Sequence, residues 1–335
     1  MKLQLSIATD TNPRTRPIMD GSVSPDGIDL IHTPLHPSEM FWRQLKFGDF
    51  DVSEMSFSSL IKAISAGNDQ WVGLPVFTTH HFFQNWIVIR KDAGINRPED
   101  MAGKRVGVPE FQQTAAVWSR GILKHEFGVD QTEMEFFMER LPKTSHGGST
   151  GFVPPPGVTV NQIPLETNIG EMMLAGELDA TLLYLPNPNL PNRNLIDRST
   201  ADLASHPNFG PLFPDPAAEG LRYYRKTNIY PINHAMVIKR SVAEEHPWAV
   251  LNVLKAFNQA NEMANRQRLE HVDYYHKSGL ISQDAYDALC EPLVRHGIAA
   301  NRETLEAATQ FSYEQGLTPR RVPLEEVFAR STLDQ

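Results

Sequence analysis

Residues 99–118 read Glu99-Asp-Met-Ala-Gly-Lys-Arg-Val-Gly-Val-Pro-Glu-Phe-Gln-Gln-Thr-Ala-Ala-Val-Trp118. The pattern predicts a turn at Gly103, a buried strand over 105–108 and a helix that begins just beyond the Pro-Glu pair. A strand that ends at a helix N-terminus forms an anion site, because the first backbone N–H groups are free and the helix dipole is positive there. The residues expected at this helix start, and so at a bound anion, are Gln112, Gln113 and Thr114.

A second segment of the same kind follows further along the chain. Met173-Leu-Ala-Gly-Glu-Leu-Asp-Ala-Thr-Leu-Leu183 predicts a helix end, a glycine turn and another buried strand. Tyr184 comes directly after this strand and is a further candidate for substrate binding. Together the two segments outline one lobe of a cleft that holds a small anion.

Composition sets limits on the class of protein. The chain has 335 residues, 41% hydrophobic and 21% charged, which is typical of a globular protein of roughly two domains. The net charge of -9 and the absence of a basic run argue against nucleic acid as a partner. The single cysteine, Cys290, excludes an internal disulfide and a cysteine-based zinc cluster, and it lies in a helical pattern that favours a packing role.

No apolar run reaches the length of a membrane span, and no membrane partner is expected. Residues 1–9 already alternate as a strand and carry no signal-peptide pattern, which predicts a cytoplasmic protein.

Strands alternate with helical patterns, as expected of an α/β fold with mostly parallel sheets. We expect two lobes, each a mostly parallel sheet flanked by helices, with the ligand in the cleft between them. Lobe 1 is predicted to comprise residues 1–88 and 236–335, and lobe 2 residues 89–235. The predicted strands outside the two quoted segments are 2–8, 27–34, 50–52, 71–77, 84–90 and 229–240.

Other segments predict helices and loops. Residues 37–47 predict a helix closed by Gly48, and residues 250–269 carry an apolar stripe. Segments 141–164 and 186–216 are rich in Gly, Pro, Ser or Asn and are predicted to be long loops, the first either a lid or a subunit contact. The predicted stripe comprises Val250, Leu251, Leu254 and Phe257.

Several segments resemble known proteins. Gly-Lys-Arg-Val-Gly-Val at 103–108 and Ala-Gly-Glu-Leu-Asp-Ala at 175–180 resemble landmarks of the type II periplasmic-binding-protein fold. A closer match is carried by five segments, 14–21, 50–59, 107–118, 120–123 and 227–234. With these segments, nearly the whole chain resembles the 4,5-dihydroxyphthalate decarboxylase family. The family pattern has an Arg and later a His after 75–77, where this sequence has His80 and Gln84.

The resemblance implies a cytoplasmic, cofactor-independent carboxy-lyase that acts on a dihydroxylated aromatic dicarboxylate and yields a hydroxybenzoate and CO2 in aromatic-acid catabolism. Such a reaction needs a proton for the ring carbon, a base for a ring hydroxyl and donors for the carboxylate that stays. The candidates for proton transfer are His234, Glu54, His80 and His81. Since neighbours on a strand point to opposite faces, at most one of His80 and His81 is expected in the cleft.

Candidates for substrate binding lie where predicted strands end. Arg14 and Arg16 follow the first strand, and a guanidinium matches a carboxylate in two parallel bonds; the alternative is a pair of loop arginines. Ser56 and Ser58 offer hydroxyls to ligand oxygens, or cap the helix that follows. Glu54 acts either as a base or as the group that holds a histidine in one tautomer.

Metal binding is not predicted by the spacing of the histidines. His32 and His36 are four residues apart, but Pro34 breaks the helix that would align them. A divalent cation held by Glu54, a histidine and a catechol-like substrate is the alternative.

The same cleft also suits a second function, that of a non-catalytic solute-binding protein for an aromatic or small organic anion in transport or sensing. Titrating side chains at strand ends favour the enzyme. A homo-oligomer is compatible with the sequence. Hinge closure on the ligand is expected, with 84–90 and 234–240 as connectors.

Overall fold

In the computed structural model, the protein is described for residues 2–186, 196–291 and 294–335. Eleven strands and twelve α-helices occur in these ranges. The strands are β1 Leu3–Thr9, β2 Ile28–Pro34, β3 Val52–Ser56, β4 Trp71–His80, β5 Ile87–Arg90, β6 Arg105–Val108, β7 Glu135–Met138, β8 Thr159–Gln162, β9 Ala180–Leu182, β10 Phe209–Pro211 and β11 Ile232–Lys239. The helices are α1 Arg16–Met19, α2 Pro37–Phe47, α3 Phe57–Ser65, α4 Thr114–Phe127, α5 His146–Thr150, α6 Ile169–Leu174, α7 Pro216–Thr227, α8 Arg240–Glu245, α9 Pro247–Lys277, α10 Gln283–Cys290, α11 Arg302–Glu314 and α12 Leu324–Val327.

The first sheet has the order β2-β1-β3-β11-β4. β1 pairs in parallel with β2 and β3, whereas β11 runs antiparallel between β3 and β4. The insertion of β11 from far along the chain aligns His234 with Ser56 and Met236 with Glu54. This register brings the candidate residues Glu54 and His234, which are distant in the chain, to the same end and face of the sheet.

The second sheet has the order β10-β5-β9-β6-β7-β8. β9, β6, β7 and β8 are parallel neighbours, and β5 and β10 are antiparallel to their partners. Two mixed sheets with helices confirm the predicted α/β fold, although two of the four strand pairings in the first sheet are antiparallel. Strands of the first sheet come from residues 3–80 and 232–239, and strands of the second from 87–211; the exact lobe boundaries stay a prediction.

The residues at its two ends explain where helix α2 begins and ends. α2 begins with Pro37 at its first turn, and the His36 ring accepts a hydrogen bond from the Ser38 backbone N–H. It ends at Gly48, whose φ of 63° is the left-handed conformation that glycine adopts without strain. Met40, Phe41 and Leu45 are buried, as the periodicity predicts.

Some predicted boundaries were wrong. Residues 84–86 form a 3₁₀ turn, and the strand begins only at Ile87. The strand predicted at 50–52 instead runs over Val52–Ser56, so Glu54 lies within it. Segment 141–164 is not a plain loop, because Ser145 caps α5 and residues 159–162 add a strand to the second sheet. Segment 186–216 contains β10, while its residues 187–195 lie outside the described part of the chain.

The stripe predicted on α9 is buried except at Leu251, which is 41% exposed. In a 3.6-residue period Leu251 lies one position from Val250 and so turns toward solvent. No helix among the residues that the structure describes is long and apolar enough to cross a membrane.

Candidate active site

A cavity of about 150 Å³, partly open to solvent, lies where strands of both sheets end. The polar lining comes from the segments that follow β3, β4, β6 and β7, from the starts of α2 and α5 and from the start of β11, and apolar side chains cover the rest. The lining residues are His36, Pro37, Ser38, Phe41, Ser56, Thr79, His81, Phe83, Trp86, Gln113, Thr114, Ala115, Arg140, His146, Leu183, Leu185, Asn233 and His234.

Glu54 and His234 form a hydrogen-bonded pair on one wall. Oε2 of Glu54 is 2.9 Å from Nδ1 of His234 and also accepts the Thr78 hydroxyl at 2.7 Å. Oε1 accepts the backbone N–H of Asp10 at 2.9 Å. The Glu54 carboxylate is fully buried, and the hydrogen bonds from these three donors fix its position.

The neighbours of His234 determine which ring nitrogen carries the proton. Glu54 already accepts two other hydrogen bonds, and an ionised carboxylate can only accept, so Nδ1 of His234 is the donor. Nε2 then accepts the side-chain amide of Asn233 at 2.8 Å. His234 is 5% exposed and lines the cavity together with Asn233. A carboxylate that orients a histidine in this way also stabilises the ring when it is protonated.

His81 lines the cavity, whereas His80 does not. His80 is buried on the other side, where Nδ1 contacts the Tyr230 carbonyl at 3.2 Å and the two rings stack. Burial lowers the pKa of His80 to about 3, and burial with the nearby His234 and Arg14 lowers the pKa of His81 to about 4. Both rings are therefore neutral at neutral pH.

The start of α4 contributes Gln113, Thr114 and Ala115 to the cavity. Gln113 is 6% exposed, and both polar atoms of its side chain lack a partner in the described part of the chain. Because no side chain caps this helix, its first N–H groups remain available to an anion.

Ser56, Ser58, Gln112 and Thr114 are largely occupied by one another. The Ser56 and Thr114 hydroxyls are 2.8 Å apart, the Ser58 backbone N–H donates to Thr114, and the Ser58 hydroxyl donates to the Gln112 carbonyl. Gln112 donates to Ser59 and accepts from Thr150. These bonds fasten α3 to the start of α4, and only Ser56 and Thr114 of the four line the cavity.

Besides Ser58 and Gln112, three more predicted binding residues lie outside the cavity. Arg14 donates two hydrogen bonds to the Thr78 carbonyl, at 2.7 and 3.1 Å, because the loop after β1 folds toward β4. Arg16 is exposed at the start of α1. The Tyr184 hydroxyl donates to the Ala201 carbonyl, and burial raises the pKa of this phenol to about 12.

Sequence reasoning missed an ionic cluster around Arg140. Arg140 is 3% exposed, and its Nε donates to Asp197 at 2.7 Å while Nη2 donates to Ser38 at 2.6 Å. Its Nη1 lies 3.4 Å from Glu110, whose pKa burial raises even though Arg140 opposes the shift. Arg140 follows the end of strand β7, and the strand-end criterion that selected Arg14 also identifies it.

His146 was also missed, because it lies in the segment predicted to be a loop. It is 1% exposed, lines the cavity and packs edge-to-face against Phe41, with ring centroids 5.5 Å apart. Phe41 makes the same kind of contact with His234 at 4.7 Å. The signal in the sequence is Ser145, which precedes a short run without Pro and acts as an N-cap.

In the described part of the chain, no three His, Cys, Asp or Glu side chains are grouped in a way that could hold a metal ion. The need for a metal stays an open prediction.

Comparison with known proteins agrees with this geometry. Residues 62–145 match the family described as NMT1/THI5 like. The chain is 29% identical over 344 residues to the 4,5-dihydroxyphthalate decarboxylase of Comamonas testosteroni, which covers 99% of this chain and 98% of the relative. It is 33% identical over 224 residues to the enzyme of that name from Pseudomonas putida, covering 67% of this chain and 82% of the relative.

The chain belongs to the 4,5-dihydroxyphthalate decarboxylase family. It is therefore a carboxy-lyase, as the resemblance predicts, and the solute-binding alternative is not favoured. A solved structure, the periplasmic aliphatic sulphonate binding protein SsuA from Escherichia coli, superposes with a TM-score of 0.55 at 14% identity and covers 98% of this chain and 93% of its own. At that identity it shows the fold alone, and it confirms the predicted binding-protein-like architecture of the decarboxylase.

Proposed function

We propose that this family member decarboxylates 4,5-dihydroxyphthalate or a closely related dihydroxylated aromatic dicarboxylate. One ring–carboxylate bond breaks, CO2 leaves, and a proton takes its place on the ring carbon to give a dihydroxybenzoate. The observation that carries the proposal is the 2.9 Å hydrogen bond between Glu54 and His234 at the cavity wall, in a chain whose curated relatives bear this activity in their names.

In this proposal His234 supplies the proton. The Asn233 amide must first release Nε2, which can then take a proton from solvent. Glu54 accepts from Nδ1 and so stabilises the imidazolium that forms. Nε2 then transfers that proton to the ring carbon as the carbon–carbon bond breaks. The net reaction consumes one proton for each CO2 released, and the ring keeps its oxidation state.

The ring itself holds the electrons during the reaction. A hydroxyl para to the departing carboxylate donates electron density into the ring when the carbon is protonated. Phe41, Phe83 and Trp86 line the cavity with apolar surface, which suits an aromatic ring and excludes water from the departing carboxylate.

The start of α4 is proposed to bind the carboxylate that stays. Its uncapped N–H groups and the unpartnered Gln113 amide offer donors in the same part of the cavity. Arg140 adds positive charge on the same lining, although Asp197 and Glu110 compensate much of it. Arg14 would act indirectly. It donates to the Thr78 carbonyl, and the hydroxyl of the same threonine donates to Glu54.

Neither a cofactor nor a metal is included in the proposal, and both expectations remain to be tested. The test is to incubate purified, metal-stripped protein with 4,5-dihydroxyphthalate and follow CO2 release together with the ultraviolet spectrum of the ring. Turnover supports the proposal and shows that no metal is required. Turnover only after divalent ions are added would favour the catechol-chelated cation, with Glu54 as a ligand.

Silence with and without metal, in protein whose melting temperature the substrate raises, would contradict the proposed activity. The variant His271→Asn, on the exposed side of α9, is the matched control for histidine substitution elsewhere. A role in phthalate breakdown and a cytoplasmic location belong to the same proposal, and growth on phthalate after gene deletion and cell fractionation would test them. A homo-oligomer stays a prediction that light scattering would check.

A further inference from the structure

His146 has one ring nitrogen without a partner. The residue is 1% exposed and lines the cavity, yet Nε2 has no hydrogen-bond partner among the residues that the structure describes. A buried polar atom left in this way costs free energy unless a ligand satisfies it. His146 is not used in the proton transfer assigned to His234.

The partners of Nδ1 indicate the tautomer of His146. Nδ1 lies 3.1 Å from the Ser59 hydroxyl and 3.7 Å from Oε2 of Glu110. Ser59 donates its own proton to Ser56 and accepts from Gln112, so toward His146 it has only a lone pair to offer. Nδ1 therefore carries the proton, and Nε2 is a hydrogen-bond acceptor.

The charge around the ring excludes a carboxylate as the partner of Nε2. A carboxylate accepts only, so it would need a protonated His146. Burial and the neighbouring Arg140 hold the pKa of His146 well below its usual range, and the ring stays neutral at neutral pH. The group that Nε2 requires is a hydrogen-bond donor, and a ring hydroxyl is the donor that a hydroxylated phthalate contains.

We propose that His146 Nε2 accepts a hydrogen bond from a ring hydroxyl of the substrate and thereby selects hydroxylated over unsubstituted phthalates. This inference rests on the proposed function, because it takes the substrate to be an aromatic dicarboxylate. The position fits: the rings of His146 and His234 both contact Phe41, so a single aromatic substrate beside Phe41 reaches both histidines. An analogue without the hydroxyl leaves Nε2 unpaired, which is the costly kind of mismatch.

Two matched variants separate this role from a packing role. In His146→Asn the amide nitrogen takes the place of Nδ1 and keeps a donor for Ser59, but nothing replaces Nε2. In His146→Gln the amide reaches the place of Nε2 and restores an acceptor there. Both are compared in a His234→Ala background, which slows turnover during the measurement, with His271→Asn as the surface control.

Calorimetry then gives dissociation constants for 4,5-dihydroxyphthalate and for phthalate. We expect His146→Asn to weaken binding of the dihydroxylated ligand about tenfold or more and to change phthalate binding by less than about twofold. His146→Gln is expected to recover part of the loss. An equal change for the two ligands, or no change for either, would overturn the role assigned to His146.

The result is distinguishable from failure of the proposed function. If the protein with His234 intact does not release CO2 from 4,5-dihydroxyphthalate, the activity is wrong, but the ratio of the two dissociation constants still tests the hydroxyl contact. If either variant fails to fold, the dissociation constants are compared in the protein with His146 intact. That protein must bind the dihydroxylated ligand more tightly than phthalate. Equal affinities there would contradict the inference.

Discussion

Glu54 and His234 are 180 residues apart in the chain, yet Oε2 of one lies 2.9 Å from Nδ1 of the other. The contact exists because β11 inserts antiparallel beside β3 and aligns His234 with Ser56. The returning strand β11 therefore pairs within the first sheet and also contributes His234 to the polar wall of the cavity. The chemistry assigned to this wall can be tested residue by residue.

Replacing His234 by Ala is expected to lower turnover by about 100- to 10,000-fold, the usual contribution of a positioned acid or base. Ligand-induced stabilisation should persist, because the donors at the start of α4 are untouched. Single-turnover assays and thermal shift with the substrate measure the two effects. Loss of both together would instead assign His234 a binding or structural role.

Replacing Glu54 by Gln tests the tautomer. The amide keeps the shape of the carboxylate but has an N–H group that competes for the ring, and it no longer stabilises an imidazolium. We expect a fall in kcat of about 100-fold or more with little change in KM. Nitrogen NMR of the His234 ring should show loss of the Nδ1–H form, and an unchanged spectrum with full activity would contradict the assignment.

Much of the fold was predictable from sequence because strand and helix periodicity is local. The start of α4 at Thr114 and the candidates Glu54 and His234 follow from strand ends and from the family resemblance. Their mutual contact could not be predicted from spacing, since it depends on the order of strands in the sheet.

The Arg140 cluster and His146 were not predicted, for two physical reasons. Arg140 is buried through contacts with Ser38 and Asp197 that come from distant parts of the chain. The glycine-rich residues around His146 have low helix propensity, and the Ser145 cap together with packing on α2 and α3 favours a helix there. Arg14 shows the opposite error, because a strand-end position does not determine where a long side chain turns.

Replacing Arg140 by Ala should strongly destabilise the fold. Arg140 is 3% exposed in its side chain, and its removal takes a buried positive charge away from the buried carboxylates of Asp197 and Glu110. Breaking a buried pair from one side costs about 3 to 5 kcal/mol in the free energy of unfolding. Urea denaturation measures this loss, and Arg16→Ala, an exposed arginine, is the control expected to change it by less than about 0.5 kcal/mol.

A result for Arg140→Ala as small as that of the control would show that the cluster contributes nothing to stability. Arg140→Lys is expected to recover only part of the loss, since an ammonium cannot bond Asp197 and Ser38 in the planar geometry of a guanidinium.

The lowered pKa of Asp179 predicts how the free energy of unfolding depends on pH. Burial raises its pKa, but hydrogen bonds from Arg105 and Arg90 outweigh that effect and lower the pKa from its ordinary 3.8 to about 2. A carboxyl with a lowered folded pKa stabilises the fold above its unfolded value and loses that contribution as pH falls. The loss should therefore occur between about pH 4 and pH 2.

The measurement compares the wild-type protein with Asp179→Asn by chemical denaturation from pH 7 to pH 2. The variant should be less stable at pH 7, and the difference should shrink as the pH falls through the window, because the wild-type carboxyl becomes protonated and loses its charge. Asp26→Asn is the matched control. Asp26 also pairs with a basic side chain, that of Lys255, but the Asp26 side chain is 76% exposed, and an exposed pair contributes little to stability. A difference that stays constant down to pH 2 would mean that the charge of Asp179 does not stabilise the fold, and that Arg105 and Arg90 hold it by hydrogen bonding alone.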